Sequence, residues 1–358
     1  MSDFFKQIVK ELNDENTHLL SDGGNSSEFS GWVDTGCFIL NALISGSLYG
    51  GVSNNKITAL AGEEATGKTF FALGMVNNFL QQNDHAGVIY YDTEAAVTQE
   101  MMSTRGIDIH RIVVSEPQTI QQFRHNALQV LERYTEHKNN RPPMMMVLDS
   151  LGQLSTTKEM EDSTEGKETR DMTKAQVIKA AFRTLGLRLS KAQVPMIITN
   201  HTYDAVGSYI PTKVMSGGSG LKYTASTILF LSKKRDKDTE KDEGNLIKVT
   251  TQKSRFTKPN KTIEVRLNYT TGLDRYYGLL ELAEKHDVIK KVSTRYEFPD
   301  GSKHFAKAIN AEPEKFFTED IMERLEQAAA KEFKYGEERE LFGDYGETDQ
   351  SETDSAED

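Results

Sequence analysis

Short apolar segments alternate with longer amphipathic segments along the middle of the chain. Each short segment is bounded by polar or glycine-containing residues, which is typical of strands that are covered on both faces of a sheet. The predicted strands are Lys56–Ala61, Val88–Asp92, Ile112–Ser115, Met144–Asp149, Met196–Asn200 and Thr227–Ser232, and the predicted helices are Thr69–Leu80, Ile120–Tyr134 and Met172–Lys191. This alternation predicts an α/β fold with a mostly parallel central sheet covered by helices.

The two ends of the chain follow other patterns. Asp3–Leu12 has apolar residues at helical spacing, and the polar segment 13–31, rich in Gly, Ser and Asn, indicates a linker. So short a helix cannot stabilise itself, so it must dock on its own domain or on a neighbouring molecule. Near the other end, we predict a strand hairpin (Leu246–Lys253 with Thr262–Leu267) and then a small α/β appendage that ends in the helix Thr318–Lys334.

The charge is concentrated at the C-terminus. The 358 residues carry a net charge of −11, which by itself argues against a nucleic-acid partner. The last 22 residues, however, contain ten acidic residues and one arginine, so residues 1–336 carry only −2, which leaves room for a local basic groove. This tail has too little apolar content to fold alone. We therefore divide the chain into an N-terminal helix and linker (1–31), a core (32–284), a small C-terminal domain (285–336) and a disordered acidic tail (337–358).

Composition also excludes several classes of protein. No apolar run approaches the ~18 residues of a membrane span, and the first residues lack the pattern of a secretory signal. The single cysteine, Cys37, excludes an internal disulfide framework and a cysteine-based zinc site. We expect a soluble cytoplasmic protein that does not bind a membrane.

The clearest chemical motif joins the first core strand to the first core helix. Gly62-Glu63-Glu64-Ala65-Thr66-Gly67-Lys68-Thr69 matches G-x-x-x-x-G-K-[ST], and the flanking strand and helix argue against a chance glycine-rich turn. In such a loop, backbone N–H groups surround the phosphates and the helix N-terminus adds a favourable dipole. Lys68 would reach the β- and γ-phosphates, and the Thr69 hydroxyl would bind Mg²⁺.

Two carboxylates extend this prediction. Asp149 ends an apolar strand, where a phosphate-loop protein needs a carboxylate associated with magnesium; taken alone, it could equally cap the next helix. Glu94 follows the strand Val88–Asp92, where it could orient or deprotonate an attacking water. Spacing alone does not distinguish Glu94 from an ordinary loop glutamate. The motifs together predict a nucleotide-binding protein.

Further motifs occur in order between about Trp32 and Ile289. They are Asp34-Thr35-Gly36, Ala42-Leu43-Ile44-Ser45-Gly46, Gly50-Gly51, Tyr91-Asp92-Thr93-Glu94, Leu148-Asp149-Ser150-Leu151-Gly152, Ile197-Ile198-Thr199-Asn200-His201-Thr202-Tyr203, Ser216-Gly217-Gly218-Ser219-Gly220 and Gln252-Lys253-Ser254-Arg255. With the phosphate loop, this series resembles the RecA family of homologous-recombination ATPases, and most closely the UvsX group of T-even phages. The resemblance implies the RecA-type ATPase fold with ATP and Mg²⁺ as cofactors, and protomer contact through residues 1–31.

The resemblance also implies catalytic roles. Glu94 matches the glutamate that activates water, and His201 matches the residue that senses the γ-phosphate, where bacterial members have Gln. Lys253 and Arg255 match a basic pair that reaches across a filament interface to the triphosphate of the neighbouring protomer. From the residues alone, Lys253 and Arg255 indicate a solvated strand face. Met101 stands where the family generally has a tyrosine on the adenine; a methionine can cover a base but discriminates less.

Two loops, 155–173 and 202–218, match those that face the filament axis and hold DNA in the family. Their candidate DNA-binding residues are Lys158, Lys167 and Arg170 in the first loop, and Tyr203, Tyr209, Lys213, Gly217 and Gly218 in the second. Basic groups, backbone N–H groups and aromatic rings suit single-stranded DNA. The first loop also carries six acidic residues, so it is not a simple basic patch. Composition alone would indicate disordered surface for both loops.

The implied function is a DNA-dependent ATPase and recombinase. It would form helical filaments on single-stranded DNA and promote pairing with homologous duplex DNA in recombination, repair and recombination-dependent replication. A recombination mediator and a single-strand-binding protein are expected partners. Two alternatives are a RecA-fold hexameric helicase motor, which would bring an N-terminal collar domain for which we see no pattern, and a non-hydrolysing mediator. Retention of Lys68, Thr69, Glu94 and Asp149 argues against the mediator.

Overall fold

The computed structural model describes residues 2–14, 17–22, 31–137, 141–167, 171–204, 213–234 and 244–336. Its helices are α1 Ser2–Leu12, α2 Phe38–Ser45, α3 Lys68–Gln82, α4 Gln99–Ser103, α5 Ile120–Glu136, α6 Thr157–Thr164, α7 Lys174–Ala192, α8 Ser219–Thr224, α9 Leu279–Lys285, α10 Ala306–Ala311, α11 Pro313–Phe316 and α12 Glu319–Phe333. Its strands are β1 Trp32–Val33, β2 Val52–Ser53, β3 Ile57–Gly62, β4 Gly87–Asp92, β5 Ile112–Ser115, β6 Met144–Asp149, β7 Met196–Asp204, β8 Lys213–Met215, β9 Thr227–Lys234, β10 Gly244–Ser254, β11 Thr262–Asn268, β12 Gly272–Leu273, β13 Lys290–Val292, β14 Arg295–Glu297 and β15 Lys303–Phe305.

A ten-stranded sheet organises the chain. Its strand order is β12-β11-β10-β9-β3-β7-β6-β4-β5, and β8 pairs with β7 outside this path. The strands from β9 to β5 are parallel to one another, whereas β10, β11 and β12 extend the sheet in antiparallel fashion. The predictions of a mostly parallel sheet and of a hairpin between β10 and β11 are confirmed. All residues of β3 and β6 are buried, which explains their uninterrupted apolar sequences.

Helices cover both faces of the sheet. On one face, α3 packs with Phe71 and Leu73 into an apolar cluster that also contains α2. On the other face, α5 and α7 form a second cluster around Phe123 and Phe182. Tyr91 of β4 contacts Phe123 edge-to-face, with ring centroids 5.0 Å apart. The α3, α5 and α7 predictions are confirmed to within a few residues.

Helix α2 was not predicted, because it has no polar face. All eight of its residues are buried, so its sequence lacks the amphipathic period that marks a surface helix. Its one large polar side chain, Asn41, is fully engaged. The Asn41 amide accepts hydrogen bonds from the backbone N–H and hydroxyl of Thr35 and donates to the Leu48 carbonyl and the Asp34 carboxylate.

The C-terminal appendage contains the three-stranded sheet β13-β14-β15 and the helices α10, α11 and α12. Apolar residues of α12, including Leu325 and Phe333, belong to the same cluster as α2 and α3. Glu332 of α12 forms ion pairs with Lys261 at 2.7 Å and with Lys285 at 2.8 Å, and its carboxylate lies 3.3 Å from His286 Nε2. The appendage is therefore attached by both apolar and ionic contacts, and the domain limits given above stay predictions.

The termini are described only in part. Helix α1 is present as predicted, and Phe4, Phe5 and Leu12 on it are exposed. Most of the predicted linker (15–16 and 23–30) and the whole predicted acidic tail lie outside the described residues. None of the helices in the described ranges is long and apolar enough to cross a bilayer.

Glu332→Gln is expected to lower the free energy of unfolding by about 1–3 kcal/mol near neutral pH, because it removes the carboxylate that pairs with both Lys261 and Lys285. Burial raises the pKa of Glu332, but the hydrogen bonds and charges of Lys261 and Lys285 outweigh it and lower the pKa to about 2. The folded-state pKa is therefore below the ordinary 4.5. The stabilisation is complete above that pH and is lost as the pH falls through 2.

Urea unfolding at several pH values measures this contribution. Glu323→Gln, on the exposed side of the same helix, is the control and should change stability little. An equal loss in both variants, or a loss from Glu332→Gln that grows as the pH falls below 4.5, would contradict the assignment.

Candidate active site

The turn between β3 and α3 has the conformation that phosphate binding requires. Gly67 precedes α3 with φ of +83°, a left-handed conformation that favours glycine. A Cβ on Gly62 would lie 2.7 Å from the Leu231 carbonyl oxygen and 2.6 Å from Thr66 Oγ1. No side chain caps the first turn of α3 at Gly67, so its N–H groups are available to an anion. The predicted strand, loop and helix context of the motif is confirmed.

Lys68 lies under this turn, with 8% of its surface exposed. Its Nζ donates hydrogen bonds to the carbonyl oxygens of Glu63 (2.8 Å) and Gly62 (3.2 Å). Burial lowers the pKa of Lys68, and the carboxylates of Glu94, Asp149 and Glu64 oppose that shift. The cation is thus partly desolvated and directed at the turn, an arrangement that a polyphosphate would stabilise.

Asp149 is held by two neighbouring strands. Its carboxylate accepts hydrogen bonds from Tyr90 Oη of β4 at 2.8 Å and from the Thr199 hydroxyl of β7, and only 3% of the residue is exposed. Burial, and after it the charge of Asp149, raises the pKa of Tyr90, which keeps the phenol protonated as a donor. The partners of this carboxylate are side chains of the sheet rather than the N–H groups of a following helix.

These groups fit a magnesium–nucleoside triphosphate. N–H groups and Lys68 suit phosphate oxygens, and the Thr69 hydroxyl with the Asp149 carboxylate supplies the hard oxygen groups that Mg²⁺ prefers. No cluster of three or more His, Cys, Asp or Glu side chains that could hold a metal by itself occurs in the described part of the chain. Mg²⁺ is usually held by one or two protein oxygens together with substrate phosphates and water, so the Thr69 hydroxyl and the Asp149 carboxylate are the protein groups that would hold it.

A second group of polar side chains lies at the edge of the sheet that carries the phosphate loop. It consists of Glu94, His201 and Ser150. Glu94 Oε1 accepts a hydrogen bond from Ser150 Oγ at 2.6 Å and lies 3.1 Å from His201 Nε2. Burial raises the pKa of Glu94, but hydrogen bonds from Ser150 and His201 and the charges of His201 and Lys68 outweigh it, so the pKa is lowered. Glu94 is therefore ionised near neutral pH and can accept a proton or orient a water.

Sequence reasoning missed the residue that holds the Glu94 loop. Asp92 ends β4 and is buried. Its carboxylate accepts hydrogen bonds from the backbone N–H groups of Glu94 and Val97, each at 3.1 Å. The signal was present, because Asp92 ends an apolar strand in the same way as Asp149. The Asp92 carboxylate is engaged by its own loop, so it positions Glu94 rather than facing a ligand.

The side of α3 next to Met101 carries a cation–aromatic cluster that sequence reasoning also missed. Arg105 lies over the Phe70 ring, 4.4 Å from its centroid, and donates to the Met101 carbonyl at 2.7 Å. Tyr269, which follows β11, lies 6.1 Å from Phe70 and is 37% exposed. Met101 itself packs against the main apolar cluster. Of these residues, only Tyr269, which is exposed and directly follows a strand, could have been selected as a candidate site residue.

Lys253 and Arg255 lie at the opposite edge of the sheet from the phosphate loop. Ser254 of β10 pairs with Thr227 of β9, which pairs with Thr58 near the start of β3. The loop begins at the other end of β3, about 13 Å away at ~3.3 Å per residue. Lys253 Nζ donates to the carbonyls of Lys222 and Tyr223. Burial, followed by the charges of Arg255 and Lys222, lowers the pKa of Lys253.

The first candidate DNA loop is partly helical. Thr156 and Glu159 form a capping box at the start of α6. The interpretation of the whole loop as disordered surface, which composition alone indicates, is therefore wrong. Lys158 lies on α6, and Lys167 pairs with Glu165 at 2.5 Å. Arg170 lies outside the described residues.

The second candidate DNA loop begins as a hairpin. Strand β7 continues past its predicted end and pairs with β8, with Tyr203 opposite Val214 and Asp204 opposite Lys213. About half of the Tyr203 surface is exposed. Gly217 and Gly218 follow β8, where an added Cβ would lie 3.1 Å from Ile178 and 3.0 Å from Ala175 of α7. Tyr209 lies outside the described residues. The hairpin connects directly to the site, since the Ser216 N–H donates to the His201 carbonyl at 3.0 Å.

The fold and the site together define a phosphate-loop nucleotide-binding protein with a parallel α/β core. Comparisons with known proteins agree. Residues 2–274 match the family model of the RecA N-terminal domain. A recombination and repair protein of Enterobacteria phage T4 is 29% identical over 286 residues, 79% of this chain and 71% of the phage protein. Protein RecA of Deinococcus radiodurans is 29% identical over 277 residues, 75% of this chain and 71% of that protein.

The chain belongs to the RecA family of recombinases, and the resemblance inferred from its motifs is confirmed. Membership in this family implies ATP binding. The crystal structure of the RadB recombinase aligns with a TM-score of 0.49 and 21% identity, over 68% of this chain and 99% of that one. The roles of the individual site residues stay predictions.

Tyr90→Phe is expected to raise the Mg²⁺ concentration needed for nucleotide binding by about tenfold, because Asp149 loses a hydrogen bond that orients its carboxylate. Binding of a fluorescent ATP analogue during a Mg²⁺ titration measures this effect. Tyr91→Phe is the matched control, since the buried Tyr91 hydroxyl has no hydrogen-bond partner among the described residues. Equal Mg²⁺ dependence in the two variants would remove Tyr90 from the metal site.

Proposed function

We propose that the protein is a single-stranded-DNA-dependent ATPase that assembles into helical filaments on single-stranded DNA. The filament would pair this strand with homologous duplex DNA and promote strand exchange in recombination, repair and recombination-dependent replication. The observation that carries the proposal is the position of Lys253 and Arg255 at the edge of the sheet opposite the phosphate loop.

This separation supports a site shared between protomers. Lys253 and Arg255 cannot reach the phosphate loop of their own chain, because β3 separates them from it. Stacking of two copies with the same orientation would bring this basic edge of one copy to the phosphate loop of the next. Such a head-to-tail contact is heterologous and generates an open helix or a closed ring. A cation supplied from the neighbour would offset the charge of the transferring phosphoryl group.

Each residue of the site has a proposed role in hydrolysis. Lys68 would bind the β- and γ-phosphates, and Thr69 and Asp149 would hold the metal, Thr69 directly. Bound magnesium would neutralise charge on the phosphate oxygens. Glu94 would orient the attacking water and accept its proton, a role that its lowered pKa supports. His201 would report the γ-phosphate to the second loop, since its backbone carbonyl accepts from Ser216 beyond the hairpin.

Exposed apolar surfaces support self-assembly. Helix α1 presents Phe4, Phe5 and Leu12 to solvent, and β5 is an edge strand whose Val113 and Val114 are exposed. An edge strand offers unpaired backbone groups to another chain. We propose that residues 1–31 of one copy cover part of such a surface on the next. Base pairing would supply sequence recognition, and the proposed partners include a mediator and a single-strand-binding protein in the cytoplasm.

Lys68→Ala and Arg255→Ala are each expected to abolish ATP turnover stimulated by single-stranded DNA. The two substitutions remove one cation each, from opposite sides of one shared site. Mixing the two inactive variants should restore part of the turnover, since some interfaces then combine an intact Lys68 with an intact Arg255. Phosphate release with and without oligo(dT) measures both effects. Lys248→Ala, on the exposed side of the same strand as Lys253, is the control.

Three outcomes would contradict the proposal. Normal stimulated turnover in Arg255→Ala would remove the shared site. Wild-type protein that binds ATP but shows no turnover above background, with or without single-stranded DNA, would favour a non-hydrolysing mediator. Closed rings rather than open filaments on DNA in electron micrographs would favour a helicase motor.

A further inference from the structure

Lys213, a candidate DNA ligand, contacts the phosphate loop. Its ammonium forms ion pairs with Asp204, at 2.8 Å, and with the carboxylate of Glu63. Asp204 is its cross-strand neighbour in the hairpin of β7 and β8, so this contact belongs to the hairpin itself. Glu63 is 150 residues away in sequence and is the second residue of the phosphate loop. The Glu63–Lys213 pair therefore joins two sites that sequence reasoning treated separately.

Glu63 is also bound from the nucleotide side. Its carbonyl oxygen accepts hydrogen bonds from Lys68 Nζ at 2.8 Å and from Thr66 Oγ1 at 2.9 Å. Lys68 is the residue that phosphates would recruit. Glu63 thus contacts both cations. Its backbone carbonyl contacts Lys68, which is expected to bind ATP, and its carboxylate contacts Lys213, which is expected to bind DNA.

We propose that Glu63 is a positioning residue for DNA binding. Its carboxylate competes with DNA phosphates for Lys213 and so links the state of the phosphate loop to the second DNA loop. The inference rests on the proposed function, since it needs Lys213 to bind DNA. Lys213 cannot give its ammonium fully to a DNA phosphate while two carboxylates hold it. The side chains of Lys213 and Glu63 are 40% and 59% exposed, so both are accessible to an incoming strand.

The link to nucleotide follows from charge. A triphosphate in the loop would draw Lys68 from the Glu63 carbonyl, which removes one restraint on residue 63. The same negative charge would repel the Glu63 carboxylate. Both effects weaken the hold on Lys213, so the competition should be strongest without nucleotide. By linkage, DNA binding to Lys213 changes the affinity for nucleotide by the same free energy by which nucleotide changes the affinity for DNA.

Glu63→Gln tests this competition. Without nucleotide, the variant is expected to bind labelled oligo(dT) about two- to fivefold more tightly than wild type, the range for loss of an exposed ion pair. Glu64→Gln is the matched control, because it removes the same charge from the same turn and has no contact with Lys213 among the described residues; its gain should be smaller. With a slowly hydrolysed ATP analogue, the advantage of Glu63→Gln over Glu64→Gln should shrink.

A double-mutant cycle separates competition from a general effect of charge. In a Lys213→Met background, Glu63→Gln and Glu64→Gln should change oligo(dT) affinity equally, since the competed cation is gone. Fluorescence anisotropy measures the affinities, and thermal unfolding checks that each variant is folded.

The outcomes distinguish this inference from the proposed function. Equal affinities of Glu63→Gln and Glu64→Gln without nucleotide, while wild type binds oligo(dT), would overturn the role of Glu63 alone. An advantage of equal size with and without the ATP analogue would overturn its link to the phosphate loop. Failure of wild type to bind oligo(dT) under any nucleotide condition would overturn the proposed function itself.

Discussion

The parallel register of four neighbouring strands is the constraint on which the site depends. β3, β7, β6 and β4 run in one direction, so their carboxyl ends meet at one edge of the sheet. The pairing is specific: Gly62 lies opposite His201, and Asp92 lies opposite Asp149. A one-residue slip of β7 would turn its side chains to the other face. Burial of apolar strand residues therefore sets the distances among the polar groups.

The antiparallel direction of β10 places the basic residues at the edge of the sheet opposite the phosphate loop. Because β10 is antiparallel to β9, its last residues lie where β3 begins. Burial and the charge of Arg255 lower the pKa values of Lys56 and Lys253 there. Cations gathered in this way are stabilised by an external anion. One sheet thus carries a phosphate-binding edge and a basic edge that are complementary between copies rather than within one copy.

Much of this architecture could be predicted from the sequence, and the omissions have physical reasons. Apolar runs located the six parallel strands, because strands buried on both faces, such as β3 and β6, tolerate little else. The expectation that all six are covered on both faces is wrong for β5, an edge strand whose Val113 and Val114 are exposed. The same reasoning failed for α2, since a helix buried on every side shows no helical period. It also missed α6, whose capping box of Thr156 and Glu159 lies in a segment rich in charge. In the site, Asp149 and Glu94 were predicted from strand ends, whereas Asp92 was missed because its role depends on hydrogen bonds to its own loop.

The sequence by itself determined the class of fold and the presence of a phosphate loop, because both follow from local patterns: burial on two faces, and glycines where backbone must approach phosphate. Only the tertiary structure decided which groups meet. The contacts of Glu94 with Ser150 and His201, and of Lys213 with Glu63, join residues 56 to 150 positions apart. No local pattern encodes such pairs, since they arise from strand order and direction in the folded sheet.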